Sequence, residues 1–291
     1  MADHDPSSPT APDRTSRWWV RTIGVGLAAG FLSGLFGVGG GILMVPAMVL
    51  LLGMEQRRAH GTSLTAILPI AVSGTIGYAV EGKVDWPVAA WLTLGAAGLG
   101  AMIGTHLLHV LPRRVLAYGF AGLLLATAVR MALDASDAGG RAGLTIATVL
   151  VLVAIGVVTG ILAGLLGVGG GIVVVPVLVV GLGLPAAVAK GTSLAMVVPT
   201  SLVGTWRNVK ARNTELVTAA VMGVAGLASS FAATKVSVGL DETLSNRLFG
   251  GLLLLVAVSM FRKERRAARA EATTSAGADA AAPVAAPTHG A

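Results

Sequence analysis

Two copies of a glycine-rich motif contain the residues best suited to hold a ligand. Residues 34–41 read GLFGVGGG and residues 164–171 read GLLGVGGG, each followed by a proline and, further along, by a GTSL segment at 61–64 or 191–194. GVGGG makes a poor helix interior, because each glycine costs ~1 kcal/mol relative to alanine. We therefore expect a broken helix in each copy, whose second half begins with free backbone N–H groups and the positive end of the helix dipole.

Backbone donors of this kind suit an anion. Glycine lets a ligand approach the main chain closely, and a threonine or serine at the start of the following helix either caps that helix or adds a hydroxyl to the site. All carboxylates of the chain lie in its tails and loops, so a pocket between the two breaks would offer donors and no fixed acid. The predicted substrate-binding residues are Gly37, Gly39, Gly40, Gly41, Thr62, Ser63, Gly167, Gly169, Gly170, Gly171, Thr192 and Ser193.

A purely structural role competes with this prediction. Small residues let membrane helices pack closely, and the hydroxyls would then serve as helix caps. Lys190 and His60 occupy equivalent positions beside the two GTS segments, where each either attracts an anion or lies at the membrane interface. His106 and His109 have a spacing that can share one helix face, but no further histidine or carboxylate within the spans completes a metal site.

Catalytic motifs are absent from the sequence. It contains no cysteine and no GxxxxGK[ST] loop, and Ile42 and Ile172 stand where a GxGxxG dinucleotide motif needs its last glycine. The nearest serine and histidine, Ser73 and His106, have no third residue to orient them. We therefore predict that the protein is not an enzyme and has no catalytic residues, no metal and no cofactor.

The composition indicates packed membrane helices. Of the 291 residues, 54% are hydrophobic and 12% are charged, whereas a soluble domain has about 25% charged residues. The net charge of +7 comes from short basic clusters between long apolar runs. Such clusters are typical of topology signals and not of a nucleic-acid surface, so we expect the lipid bilayer as a partner and no nucleic acid.

The chain consists of two homologous halves. Aligned without a gap, residues 34–78 and 164–208 are identical at nearly half of their positions. We predict an all-α polytopic membrane protein of two repeats, each with a glycine-broken pair of short helices and three spans, in total eight to ten membrane segments. The three spans are expected near 62–80, 87–108 and 114–133, and near 192–207, 216–235 and 244–261. The predicted units are a disordered cytoplasmic tail at 1–17, repeats at 18–133 and 144–261, a linker at 134–143, and a basic, then alanine-rich disordered tail at 262–291.

Loop charges indicate how the repeats cross the membrane. With five segments in each half and the N-terminus inside, basic residues such as Arg57, Arg113 and Lys210 fall on the cytoplasmic side. Most loop acids, such as Glu81 and Asp241, then fall outside, which obeys the positive-inside rule. An odd number of segments in each repeat makes the two halves inverted, an architecture common among secondary transporters.

The duplicated GxxGxGGGxxxxP and GTSL elements closely resemble those of the TauE/SafE family of sulfite exporters, also called the toluene sulfonate uptake permease family. The resemblance covers about residues 24–261. It implies a multi-pass permease of the bacterial inner membrane that moves sulfite, sulfonates and related small sulfur anions. Its glycine motif falls on Gly37, Gly39, Gly40, Gly41, Gly167, Gly169, Gly170 and Gly171, and its second element on Gly61, Thr62, Ser63, Gly191, Thr192 and Ser193. Family members are usually described with about eight spans, fewer than the ten segments counted here.

We therefore expect a secondary transporter for a small sulfur-containing anion, bound between the two glycine breaks and reached from either side by rocking of the repeats. The alternatives are an anion channel and a transport-inactive membrane subunit that binds a partner. Spans without acids disfavour a carboxylate proton relay. Coupling is left open between a cotransported ion, proton or sodium, protonation of the substrate, and the membrane potential. Both termini are expected in the cytoplasm.

Overall fold

The computed structural model describes residues 16–100, 145–166, 169–241 and 243–259, together with a few single positions. All regular structure in these ranges is helical. The predicted span at 114–133, the linker at 134–143 and both tails fall largely outside the described residues, as do His106 and His109. The helices are α1 (Ser16–Phe36), α2 (Gly41–Leu52), α3 (Gln56–Val80), α4 (Trp86–Thr93, continued by a π-helical stretch at Leu94–Gly100), α5 (Ile146–Leu166), α6 (Gly171–Leu182), α7 (Ala186–Lys210), α8 (Leu216–Gly239) and α9 (Thr243–Ser259).

At least four of these helices, α1, α3, α7 and α8, are long and apolar enough to cross a membrane. α3 and α7 have 25 residues each. That length corresponds to roughly 37 Å, more than the ~30 Å of a bilayer's hydrocarbon core. Large aliphatic side chains face outward, for example Leu50 with 79% and Val224 with 70% of its surface exposed. Because exposed apolar surface of this kind suits lipid and not water, the chain is a multi-pass membrane protein.

The helix breaks occur at the glycine motifs. Gly37, Gly39 and Gly40 have φ angles of 73°, 79° and 74°, and Gly169 and Gly170 have φ angles of 78° and 80°. A residue with a Cβ atom pays about 1–2 kcal/mol in this left-handed region. The chain can therefore leave α1 and start α2, and leave α5 and start α6, at these positions because glycine occupies them.

The helices beside the breaks are not all short. α1 and α5 have 21 residues each, enough for a full span, while α2 and α6 have 12 each. The prediction of two shortened helices at each break is therefore wrong for the first helix of each pair. α1 gains length because it already begins at Ser16, inside the segment assigned to the tail, and neither a proline nor a run of adjacent glycines stands within it before Gly37.

α3 and α7 begin before the GTSL segments and not at them. α3 starts at Gln56 and α7 at Ala186, so Thr62 and Thr192 lie in the second turn of their helices. The expectation that these hydroxyls stand at helix N-termini is therefore wrong. α7 starts early because Pro185 directly precedes it with a φ angle of −54°, which suits a helix start, and no breaker follows before Gly191.

Glycines bring α1 and α8 together side by side, running in the same direction. A Cβ atom added at Gly30 would lie 2.5 Å from Cα of Gly226, so only glycine allows this separation. α5 packs on α4 and its π-helical continuation in the same way. The facing pairs are Gly26–Met222, Gly30–Gly226 and Gly34–Ser230, and in the other half Gly156–Leu92 and Gly160–Ala96.

α3 and α7 pack against each other in opposite directions. Near the start of α3, Gly61 approaches the carbonyl of Asn213, just past the end of α7. Near the start of α7, Gly191 approaches the carbonyl of Lys83, just past the end of α3. The start of each helix therefore lies beside the end of the other.

Two threonine hydroxyls accept hydrogen bonds at the ends of this helix pair. The backbone N–H of Glu215 donates to Oγ1 of Thr62 at 3.0 Å, and that of Asp85 donates to Oγ1 of Thr192 at 2.9 Å. Both threonines are fully buried. The hydroxyls of the GTSL segments thus accept from the loops that precede α8 and α4.

Replacing Thr62 or Thr192 by valine is expected to lower the free energy of unfolding by about 1–3 kcal/mol, because a buried backbone N–H loses its acceptor. The losses should add in the double variant, since the two sites lie at opposite ends of the helix pair. Thermal denaturation in detergent measures them. Thr65→Val is the control, because its hydroxyl bonds back to the Gly61 carbonyl of its own helix at 3.1 Å. An equal loss in the control would contradict this assignment.

Candidate functional site

The two glycine breaks lie against each other in the protein interior. A Cβ atom added at Gly171 would lie 2.5 Å from the carbonyl oxygen of Gly37 and 2.9 Å from Cα of Val38. Ser193 of α7 joins them, because its hydroxyl donates to the Gly37 carbonyl at 2.9 Å and lies 3.5 Å from the Gly171 carbonyl oxygen. All four residues are buried. The two breaks, one from each half of the chain, therefore meet at a single contact.

The second break lies near the middle of the α3–α7 pair. A Cβ atom added at Gly169 would lie 3.3 Å from Cγ1 of Val197 and 3.5 Å from Cγ2 of Ile67. Val197 and Ile67 are close to the centres of α7 and α3. The second break is thus far from both ends of the two long helices, whereas Gly37 of the first break adjoins Lys190, in the second turn of α7.

Two short helices begin at the breaks. The N–H groups of Leu43 and Met44 both donate to the Gly40 carbonyl at 3.2 Å, and the N–H of Val173 donates to the Gly170 carbonyl at 3.1 Å. The N–H groups at the very start of a helix have no acceptor within it. The starts of α2 and α6 therefore bring backbone donors and positive dipole ends to the breaks, which favours an anionic ligand.

Two buried hydroxyls beside the breaks have no hydrogen-bond partner among the described residues. Thr159 of α5 is fully buried, and its methyl carbon would lie 2.5 Å from a Cβ atom added at Gly170. Ser33 of α1 is also fully buried, and its carbonyl accepts the N–H of Gly37 at 2.7 Å. An unsatisfied buried hydroxyl costs about 1–3 kcal/mol, so both positions suit a polar ligand. The sequence alone does not distinguish these two residues, because isolated hydroxyls are common in apolar helices.

The predicted site residues do not all meet at this contact. Gly37, Gly171 and Ser193 touch one another, and Gly169 and Gly170 adjoin them in the second break. Three of the remaining residues continue the first break, because Gly39 and Gly40 precede α2 and Gly41 begins it. Ser63 is buried on α3, and Thr62 and Thr192 face the loops at the ends of the α3–α7 pair. Gly167 lies outside the described residues. That these residues bind substrate stays a prediction.

A buried polar network lies at the end of α1, and no sequence motif marks it. The hydroxyl oxygen of Tyr78 lies 2.7 Å from the Gly34 carbonyl oxygen and 2.9 Å from Oγ of Ser237. The Ser237 hydroxyl in turn donates to the Leu35 carbonyl at 3.0 Å. These bonds satisfy carbonyl groups in the last turn of α1, which have no intrahelical partner. The available signal was a tyrosine within an apolar span, where a polar group needs a partner.

The chain is similar to a known family and to several named proteins. Residues 3–131 and 152–289 match the family model described as Sulfite exporter TauE/SafE. A probable membrane transporter protein of Xylella fastidiosa (strain 9a5c) is 31% identical over 248 residues, which cover 81% of this chain and 92% of that protein. Another of the same name from Haemophilus influenzae is 28% identical over 261 residues, covering 82% and 96%. The match to the probable membrane transporter protein YdhB of Bacillus subtilis is 35% identical over 98 residues, 34% of this chain and 40% of YdhB. No solved structure matches the chain.

These similarities agree with the membrane helices and with the resemblance carried by the two glycine motifs. The family match extends over most of the chain, and the relatives are named as probable membrane transporter proteins. The chain therefore belongs to the sulfite exporter TauE/SafE family of membrane transporters.

Proposed function

We propose that this protein is a secondary transporter for small sulfur-containing anions, such as sulfite or organosulfonates, which bind between the two glycine breaks. The contact between Gly37 and Gly171 in the protein interior carries this proposal. Backbone donors, positive helix ends and the unsatisfied hydroxyls of Ser33 and Thr159 gather beside it, and all of them favour a small anion. The substrate class follows from the family description.

We infer further that the two halves are repeats of inverted topology. The bonds Glu215–Thr62 and Asp85–Thr192 are reciprocal, as expected when a two-fold axis relates the halves. Because α3 and α7 are antiparallel, such an axis runs across them and lies in the membrane plane. The molecule then has eight to ten membrane segments, according to whether α2 and α6 are counted. Rocking of one repeat against the other would expose the breaks to each side in turn.

The distribution of charge supports an orientation. Arg21 at the start of α1, Arg58 at the start of α3 and Lys210 at the end of α7 lie at one end of the bundle, where the Arg21 guanidinium also donates to the Leu51 carbonyl at 3.0 Å. Glu81 and Asp241 lie at the other end. By the positive-inside rule the arginine-rich end faces the cytoplasm. Both chain termini then lie in the cytoplasm, and the bacterial inner membrane is the expected location.

Single cysteines test this orientation, because the chain contains none of its own. Glu81→Cys and Asp241→Cys are expected to react with a membrane-impermeant maleimide added to intact spheroplasts. Arg58→Cys and Arg212→Cys should react only after the membrane is opened. All four positions are exposed, so access to the reagent and not burial decides the result. Labelling of Arg58→Cys and Asp241→Cys from the same side would contradict the proposed topology.

Transport itself is tested with the purified protein in proteoliposomes. We expect saturable sulfite flux that is stimulated by sulfite on the opposite side, and gradients of proton and of sodium, imposed separately, identify the coupling ion. Flux without saturation or trans-stimulation would indicate a channel. Flux that requires an added second protein would indicate a subunit. Inserted protein that moves neither sulfite nor a sulfonate would overturn the proposed substrate class.

A further inference from the structure

Lys190 is a charged side chain enclosed in the protein interior. Only 1% of its surface is exposed, although the side chain extends from an apolar helix. Its ammonium donates to Oγ of Ser245 at 2.6 Å and to Oγ of Ser237 at 3.3 Å. The third side of the ammonium faces the ring of Phe36, whose centroid is 5.8 Å away. The contacts are thus two hydroxyls and an aromatic ring.

These contacts leave the charge of Lys190 unbalanced. No carboxylate among the described residues pairs with it, and its three N–H groups have two oxygen acceptors there. A buried ion without a counter-charge costs several kcal/mol even after relaxation. Charged groups inside membrane proteins that accept this cost commonly mark ligand pathways. Among the described residues, the component that is missing beside this ammonium is a negative charge.

The backbone of Lys190 also packs directly against the candidate substrate site. A Cβ atom added at Gly37 would lie 2.6 Å from Cα of Lys190 and 2.7 Å from its carbonyl oxygen. Ser193, which joins the two breaks, lies three residues later and therefore on the same face of α7. The distance from the Gly37 break to the ammonium is therefore no more than about the length of the lysine side chain itself. In the first half the equivalent position is His60, which is only half-buried.

We propose that Lys190 recognises the charge of the substrate. Without substrate, Ser237 and Ser245 hold its ammonium at the edge of the first break; with substrate, the anion at the breaks supplies the absent counter-charge. Among the described residues this role belongs to α7, because His60, at the equivalent position of α3, is only half-buried. This inference rests on the proposed function, because it requires an anionic substrate between the breaks.

The test replaces Lys190 by methionine and by arginine and measures transport in proteoliposomes. For Lys190→Met, KM for sulfite should rise roughly ten- to hundred-fold, the usual worth of a hydrogen bond to a charged group, while Vmax changes little. The increase should be smaller for methanesulfonate, which has one charge, than for sulfite above neutral pH, which has two. Lys190→Arg should stay near wild type, because it keeps the charge.

Two matched controls separate charge recognition from a structural role. Lys235→Met removes an equal charge from an exposed ion pair with Glu81 on the same end of the molecule, and KM should change less than about two-fold. Ser245→Ala removes a partner of the ammonium but keeps the cation, so KM for sulfite should not rise. If Lys190 merely supports the end of α1 through Ser237, Ser245→Ala and Lys190→Met should both lower stability and Vmax, and the two anions should be affected equally.

An unchanged KM in Lys190→Met, or equal effects on both anions, overturns this inference while leaving the proposed function in place. If Lys190→Met fails to insert, Lys190→Gln is compared with Lys190→Arg by the ratio of KM for the two anions, with the same prediction. A wild-type protein that moves neither anion overturns the proposed function, and this inference with it.

Discussion

The variant Gly37→Ala is expected to insert into the membrane but to lose sulfite transport by a factor of about thirty or more, equivalent to roughly 2 kcal/mol. A Cβ atom at the φ angle of 73° costs about 1–2 kcal/mol. The same atom would lie 2.6 Å from Cα of Lys190, and a main-chain atom cannot rotate away. The first break must therefore move off α7, at a further cost of about 1–3 kcal/mol. Initial rates in proteoliposomes measure the effect.

Gly53→Ala is the matched control for this variant. Gly53 has a similar φ angle of 64°, but a Cβ atom added there has no neighbour within 4 Å. It should lower stability by about 1–2 kcal/mol and leave transport near wild type. If Gly53→Ala and Gly37→Ala lose transport equally, backbone strain and not the contact between the breaks explains the loss, and the proposed site is contradicted.

A second pair of variants tests the same contact from its other side. Gly171 is helical, so Gly171→Ala adds no φ penalty, yet its Cβ atom would lie 2.5 Å from the Gly37 carbonyl oxygen. Gly181→Ala lies on the same helix, and its nearest neighbour would be Cγ1 of Val177 at an ordinary 3.6 Å. Loss of transport is expected in the first variant and not in the second.

Gly30→Ala is expected to have the largest effect on stability, roughly 3 kcal/mol or more, which lies at the upper end of overpacking costs. Its Cβ atom would lie 2.5 Å from Cα of Gly226 and even closer to the carbonyl oxygen of that residue. Neither helix can relieve this contact by changing a rotamer, so α1 and α8 must separate along the row of glycines. The apparent melting temperature in detergent, followed by size-exclusion chromatography, measures the loss.

Gly24→Ala provides a control of opposite sign on the same helix. A Cβ atom there meets nothing within 4 Å, and alanine favours a helix by ~1 kcal/mol relative to glycine. This variant should therefore be as stable as wild type or more stable. If Gly30→Ala is equally stable, α1 and α8 are not in the close contact described.

The sequence predicted the helix breaks well because their cause is local. Adjacent residues in the left-handed region require glycine, and the GVGGG motif supplies it in both halves. The start of α3 was predicted less well. Thr62 resembled a helix cap because a hydroxyl residue often stands at the start of a helix. In the structure its hydroxyl oxygen instead accepts a hydrogen bond from the backbone N–H of Glu215, which is far away in sequence. No local pattern could reveal that partner.

By itself, the sequence determined the class of the protein and its family, because apolar length, small residues and the duplicated glycine motif are properties of short segments. The tertiary structure alone decided which residues meet. Gly37 contacts Gly171 and Ser193 across the two halves, whereas Lys190 is enclosed and its equivalent His60 is only half-buried. Such differences depend on the direction and separation of helices that are distant in the chain. Two nearly identical local motifs do not encode them, because the neighbours of each motif include residues of the other half.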